Sequence, residues 1–346
     1  LGLASCTCCQ AGFGKSGARF IVSTIFAVNM IGWFGIQNGV CGEAFSNAML
    51  AMTGWDIPVV VSNTIWGIIM LLTAVYGVHA LEKLDKISIP LLMIIMCYGT
   101  FLAFKVYGTG NLNDEGTVQS MSFMSGVALS FNFTAVGTIT GPDYTRFQKS
   151  RKDTVKSVFY GVFPMGVITL IMGIVLTKLS GQYDISMVLI EVGLPLLGII
   201  ALVISTWTTN STNAYSAGLN IVMALKLKDN RRREATLISG IVGIVLCDLG
   251  ILGHVEGVLS LLSYVVCPVG GVILADYWVV GKGKAKNFRP QDGVNWAGVI
   301  AWALGAIISY TLVKIEFVGI IIGFVIYLIA ERFIPSASRD NAENIA

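Results

Sequence analysis

The chain has 346 residues, of which 55% are hydrophobic and only 12% charged, with a formal net charge of +3. A charged share roughly half that of a soluble domain excludes an ordinary water-soluble enzyme, and repeated runs of about 20 apolar residues make this an all-α polytopic membrane protein. Seven cysteines scattered along the chain outline no disulfide framework.

Residues 1–18 read as a small-residue, cysteine-rich cytoplasmic lead-in. The chain opens on Leu1 with neither an initiator Met nor a signal-peptide pattern, so an N-terminal part is expected to be missing. Gly14, Lys15 and Ser16 mimic the end of a phosphate-binding loop, but Cys9 stands where that motif needs Gly. Cys6, Cys8 and Cys9 lack partners at a zinc spacing. Ten spans follow, at residues 19–46, 57–78, 87–108, 121–141, 157–178, 194–223, 235–252, 257–280, 294–313 and 317–334. They form one transporter-like domain over residues 19–334, with a cytoplasmic tail at 335–346. Of the 23 Lys and Arg residues, 20 fall in alternate connections, and the positive-inside rule then puts both termini in the cytoplasm of a plasma-membrane protein. The same rule accounts for Arg231–Arg233 without invoking nucleic acid.

The first span carries Asn29, Trp33 and Gln37 at i, i+4 and i+8, a ring and two amides on one helical face. Such a face can stack a flat heterocycle and read its edge, or it can be a packing face with satisfied amides. The fourth span holds Asn132 between Phe131 and Phe133, then Gly137, Gly141 and Pro142, a sequence expected to interrupt the helix. The sixth span contains a polar island, residues 205–218, in an otherwise apolar run. Its Ser205, Thr208, Thr209 and Thr212 share one face, and Asn210 adds another amide. Neutral oxygens at mid-span suit a small hard cation; equally, such hydroxyls bond back to their own helix or to a neighbouring helix. The eighth span carries Pro268, Gly270 and Gly271, a second expected break. Glu43, Glu191, Asp248, Glu256 and Asp276 lie near span ends and His79 and His254 beside connections. No carboxylate pair or His–carboxylate relay falls at mid-depth, which speaks against a membrane hydrolase.

Several of these stretches are familiar. Trp33-Phe34-Gly35, Asp143-Tyr144-Thr145-Arg146-Phe147, Trp207-Thr208-Thr209-Asn210, Pro268-Val269-Gly270-Gly271-Val272, Ala275-Asp276-Tyr277 and Val294-Asn295-Trp296 resemble the nucleobase–cation symporter family, nearest its cytosine permease branch. The likeness runs from about Gly12 to Phe333. The resemblance implies a fold of two inverted five-helix repeats plus two helices, of which this chain would hold ten of twelve. It implies a base stacked between Trp33 and Phe133, with Phe131 as the neighbouring candidate. Gln37 matches an amide that contacts substrate in hydantoin-transporting members, and Asn210 matches an amide that contacts the base. The cytosine-transporting members use a glutamine where this chain has Met30, with Asn29 beside it. Sodium would be held by Ser205, Thr208 and Thr209, together with carbonyls of a first helix that this chain would lack.

The expectation is therefore a secondary active transporter, not an enzyme. It imports a nucleobase or related flat heterocycle with a cation, Na⁺ first, by alternating access. The substrate-binding set is Trp33, Gln37, Asn29, Asn132, Phe133 and Asn210. No cofactor is expected beyond the coupling ion, and no partner beyond substrate and membrane lipid; the oligomeric state is open. The alternative is a proton-coupled symporter of hydantoin, allantoin or uracil type. An ion channel or a membrane enzyme ranks below both.

Overall fold

The computed structural model describes residues 2–113, 122–182 and 184–334, and among these no strand occurs. The expected tail at 335–346 lies outside them. The helices in chain order are α1 (Ser5–Cys8), α2 (Gln10–Thr53), α3 (Val59–Tyr76), α4 (Val78–Tyr107), α5 (Phe123–Ile139) and α6 (Pro142–Thr145). Then come α7 (Arg151–Ser180), α8 (Ile185–Glu191), α9 (Pro195–Ala224), α10 (Arg232–Asp248), α11 (Ile251–Val280), α12 (Trp296–Val313) and α13 (Val318–Phe333). Each of the ten expected spans falls on a helix, and seven helices have the length and apolar composition to cross a membrane. The 30-residue α9 is long enough but carries the polar island. At 17 and 16 residues, α10 and α13 reach only about 24–26 Å, a few Å less than a hydrocarbon core of about 30 Å.

Two blocks of helices form the interior. In one, α2 and α9 lie along each other and α3 and α10 flank them. Small residues permit the close approach that van der Waals packing in an apolar medium requires. A Cβ on Gly218 would sit 2.0 Å from Thr236 Oγ1 and one on Gly243 2.6 Å from the Phe34 ring. In the other block α11, α12 and α13 close around Pro268, whose ring occupies a notch made by Gly305, Gly319 and Gly323. The outer helices turn apolar side chains outward: Phe159, Leu170 and Ile174 of α7 and Ile94 and Phe101 of α4 are exposed. An apolar exterior of this extent belongs against lipid rather than water.

Of the two expected breaks, that in the fourth span falls at its Gly141-Pro142 end and that in the eighth does not form. Helix α5 is regular through Asn132 and Gly137 and ends only at Thr140, after which Pro142 starts α6. Glycine and threonine lower helix propensity by less than tertiary packing restores, whereas Pro142, at N1, needs no N–H. Helix α11 runs through Pro268 without interruption, because its glycine neighbours accept the ring.

A break that the sequence did not suggest lies in α2, where Gly14 takes φ 75° and ψ 162°. The groups freed there are recovered by the segment before α12: Lys15 N–H donates to Gln291 O at 2.7 Å, Ser16 N–H to Gly293 O at 2.8 Å, and Asn295 N–H to Phe13 O at 2.8 Å. Residues 5–17, read from sequence as a lead-in, are thus largely helical, with Cys9 and Phe13 fully buried.

Gly14 combines a positive φ with a virtual Cβ only 2.5 Å from Gly293 O. Gly14→Ala is expected to destabilise the protein by about 2 kcal/mol or more, read as a fall in the thermal unfolding midpoint in detergent. Gly253→Ala, where a Cβ meets nothing within 4 Å, should leave the midpoint unchanged.

Candidate functional site

A cavity of ≈ 320 Å³ lies between α2, α5, α6 and α9. This is near the lower end of small-molecule sites, about 300–1,000 Å³. Helix α2 presents Met30, Trp33 and Gln37, one face at helical spacing. Helix α5 adds Phe133, Val136 and Gly137; α6 adds Tyr144; α9 adds Thr209, Thr212 and Asn213.

The aromatic pair is the most defined feature. Trp33 and Phe133 meet edge to face, with ring centroids 5.2 Å apart and an interplanar angle of 87°. This is a favoured aromatic geometry. Trp33 is 7% exposed and backed by the core, whereas Phe133 is 60% exposed. A flat ring inserted between them needs two van der Waals gaps, about 7 Å in all, and parallel faces. Phe133 is the side chain with room to move. Phe131 turns elsewhere, to Phe317 at 5.5 Å.

The expected amides separate into two groups. Gln37 lines the cavity. Asn29 does not: it is buried, and its Nδ2 donates back to Ile25 O at 2.9 Å. Asn132 is also buried off the cavity, and its Oδ1 accepts no hydrogen bond among the described residues. Asn210 is fully buried as a tie between helices, its Nδ2 donating to Phe34 O at 3.1 Å. The α9 amide at the cavity is Asn213, whose Nδ2 donates to Asn210 Oδ1 at 3.4 Å. Sequence reasoning passed over Asn213 and Tyr144 as site residues. Asn213 follows Thr209 at i+4, a spacing that would have placed it on the same face.

The hydroxyl stripe adopts the back-bonded geometry. Ser205 Oγ donates to Leu202 O at 3.0 Å, and Thr208 Oγ1 and Thr209 Oγ1 donate to Ser205 O at 3.0 and 3.1 Å. Thr212 Oγ1 donates to Thr209 O at 2.6 Å. A hydroxyl that donates its proton keeps two lone pairs, so all four oxygens still accept. Ser205 and Thr209 are exposed and Thr208 half-buried.

Tyr144 closes one end, its hydroxyl 3.0 Å from Ser216 Oγ. Its neighbour Asp143 is held by α1, with Ser5 N–H donating to Asp143 Oδ1 at 2.8 Å and Ser5 Oγ to Thr140 O at 2.9 Å. The thiols nearby are not metal-ligand material. Cys6 Sγ donates to Asn220 Oδ1 at 2.6 Å, and burial pushes the Cys8 thiol up to about 11, far from thiolate at neutral pH. Among the described residues no group of three or more His, Cys, Asp or Glu converges as a metal site.

A cavity bounded by aromatic rings and neutral polar groups, inside a bundle of apolar helices, is built for passage or binding rather than bond cleavage. The comparisons agree. The sequence profile of a family described as permease for cytosine/purines, uracil, thiamine, allantoin matches residues 1–331. The cytosine permease of Escherichia coli (strain K12) is 31% identical over 328 residues, covering 93% of this chain and 75% of that protein. The allantoin permease of Bacillus subtilis (strain 168) is 25% identical, covering 95% of this chain and 77% of that protein. The fold is that of Mhp1, a nucleobase-cation-symport-1 family transporter. In its closed conformation with bromovinylhydantoin bound, the TM-score is 0.77 at 19% identity, over 96% of this chain and 79% of that one. In its inward-facing conformation the TM-score is 0.75. The chain belongs to the family of permeases for cytosine/purines, uracil, thiamine and allantoin, and it is a multi-pass membrane transporter, not an enzyme.

Proposed function

We propose that the protein imports a nucleobase or a related flat heterocycle together with a cation, Na⁺ in the first instance, by alternating access on a five-plus-five inverted-repeat framework. The observation that carries this reading is the cavity itself, lined by the Trp33 and Phe133 rings and by the polar side chains of Gln37, Thr212 and Asn213. A base would lie on the Trp33 face once Phe133 turns aside. Its edge would be read by the two amides, each offering both donor and acceptor. Such a site favours planar, hydrogen-bonding rings over aliphatic solutes. The permeases of cytosine and allantoin among its relatives point the same way.

Sodium would be a co-substrate of Ser205, Thr208 and Thr209. Their oxygens fit a hard cation in type and retain lone pairs, and Ser205 and Thr209 are open to approach. Thr209 belongs both to this set and to the cavity lining, so ion and base would meet at one residue. Coupling then requires only that both favour one conformation, each raising the other's affinity by the same factor. Proton coupling is the second reading. The polar groups lining the cavity are neutral, so it would draw on carboxylates elsewhere, such as the buried Glu316 and Glu331.

Uptake of labelled cytosine, uracil, hydantoin and allantoin by cells expressing the full protein, with and without Na⁺, tests both parts. At least one heterocycle should enter in a Na⁺-dependent way, with that dependence weakened in Thr209→Ala. Equal uptake in Na⁺-free buffer overturns the sodium assignment, and failure of every heterocycle to enter or compete overturns the substrate class. Trp33→Ala should weaken apparent substrate affinity about tenfold or more, since stacking a base on an aromatic ring contributes about 1–3 kcal/mol.

The two α9 amides should respond differently. Asn213→Ala is expected to raise KM, with a smaller fall in the unfolding midpoint than at Asn210, since its bond to Asn210 Oδ1 is long. Asn210→Ala removes the bond to Phe34 O and should lower stability by about 1–3 kcal/mol, seen in the thermal midpoint whether or not substrate is present.

A further inference from the structure

A second cavity, ≈ 450 Å³, lies on the other side of the Asp143-Tyr144 segment from the first. Four cationic side chains from three parts of the chain reach it: Lys15 and Arg19 of α2, Arg146 just after α6, and Lys226 just after α9. Against them stand Asp143 and Asp229, leaving an excess of two positive charges. Only Lys15 has an ion-pair partner among the described residues, Asp292 at 2.7 Å outside the cavity. Among the described residues Arg19, Arg146 and Lys226 have no ion-pair partner within 4.0 Å, Asp143 attracting Arg146 from beyond that distance.

Basic residues collect at one end of any membrane bundle, and those that serve topology alone extend into water. Here the pattern differs in three respects. The Nε atoms of both Arg19 and Arg146 are buried and have no acceptor among the described residues. Each guanidinium lies over a ring, Arg19 4.3 Å from the Phe20 centroid and Arg146 4.8 Å from that of Phe147. The cations also converge on a concave space, whose wall includes apolar Val222 and Met223. A guanidinium carries five donors in a planar fork, and sealing one from water without an acceptor is costly. Two such forks with an ammonium match the oxygens of a phosphate group, which accepts charge-assisted and bidentate hydrogen bonds.

We propose that this cavity, centred on Arg19, Arg146 and Lys226, is a binding site for a phosphate group, distinct from the substrate cavity. The phosphate can be carried by an anionic phospholipid headgroup or by a free phosphate compound, since both present the same oxygens.

The test uses the full protein and reads binding without transport, so its result is independent of the substrate assignment. One arm titrates inorganic phosphate against detergent-solubilised protein and follows the unfolding midpoint, with chloride at equal ionic strength as reference. The other compares nanodiscs of phosphatidylcholine with nanodiscs containing phosphatidylglycerol. A rise in the midpoint with phosphate, with phosphatidylglycerol or with both supports the site, and which arm responds identifies the source. Arg19→Gln/Arg146→Gln should weaken the apparent affinity at least about tenfold, the loss of one charge-assisted contact. Lys226→Gln, at an exposed helix end, gives the same reading should the double variant fold poorly. Arg233→Gln, exposed at the start of α10, should leave the response intact. No stabilisation in either arm, an equal effect of chloride, or equal sensitivity to Arg233→Gln overturns the proposal.

Discussion

The structure depends on one constraint: hydrogen-bonding groups on a helix surrounded by apolar atoms must face protein or a cavity. Helix α9 meets it by dividing its polar island between two sides. At about 100° per residue, Thr209, Thr212 and Asn213 occupy one wedge, and Trp207, Asn210 and Ser211 lie beyond it on the other side. The second group ties the bundle together. Asn210 donates to Phe34 O, Ser211 to Met70 O at 3.1 Å and Trp207 Nε1 to Thr73 Oγ1 at 2.9 Å. The first group faces the cavity. The same island therefore positions α9 against α2 and α3 and furnishes one wall of the site, so a change on one side of the helix shifts the other.

This division explains what was legible in the sequence and what was not. Composition and run length identify helices crossing a membrane, because period and polarity are local properties of the chain. The Trp33–Gln37 face was readable for the same reason. Which edge of a face meets a cavity is not local. Asn29 sits one turn before Trp33, yet Met30 beside it lines the cavity, while Asn29 is rotated to the other edge of the face, buried against protein with its amide bonded back to Ile25 O. Asn210 and Asn213 are both amides of the island, and only the azimuth of α9 relative to α2 tells them apart.

Helix interruptions show the same limit. Pro268 has every local reason to break α11, but Gly305, Gly319 and Gly323, more than 35 positions later in the chain, make room for its ring. Gly14, in a stretch with no proline, does break α2, because residues 291–295 arrive to take the freed backbone groups. In both cases the deciding residues are remote in sequence. A motif of glycine and proline marks where a helix can yield, and the partner surface decides whether it does.

The two cavities share a wall, and that wall is thin. Residues 140–144 separate the ring-lined space from the basic one, held by Ser5 N–H on Asp143, Ser5 Oγ on Thr140 O and Tyr144 OH against Ser216. At about 0.5–1.5 kcal/mol net for each hydrogen bond, these contacts together amount to a few kcal/mol. A movement of this segment away from α1 and α9 breaks them. A ligand shifts such an equilibrium by its difference in affinity between the two states, and a few kcal/mol lies within that range. The Asp143-Tyr144 stretch, where α5 gives way to α6, is thus, like the α9 wall, a part of the site's boundary held by side-chain hydrogen bonds.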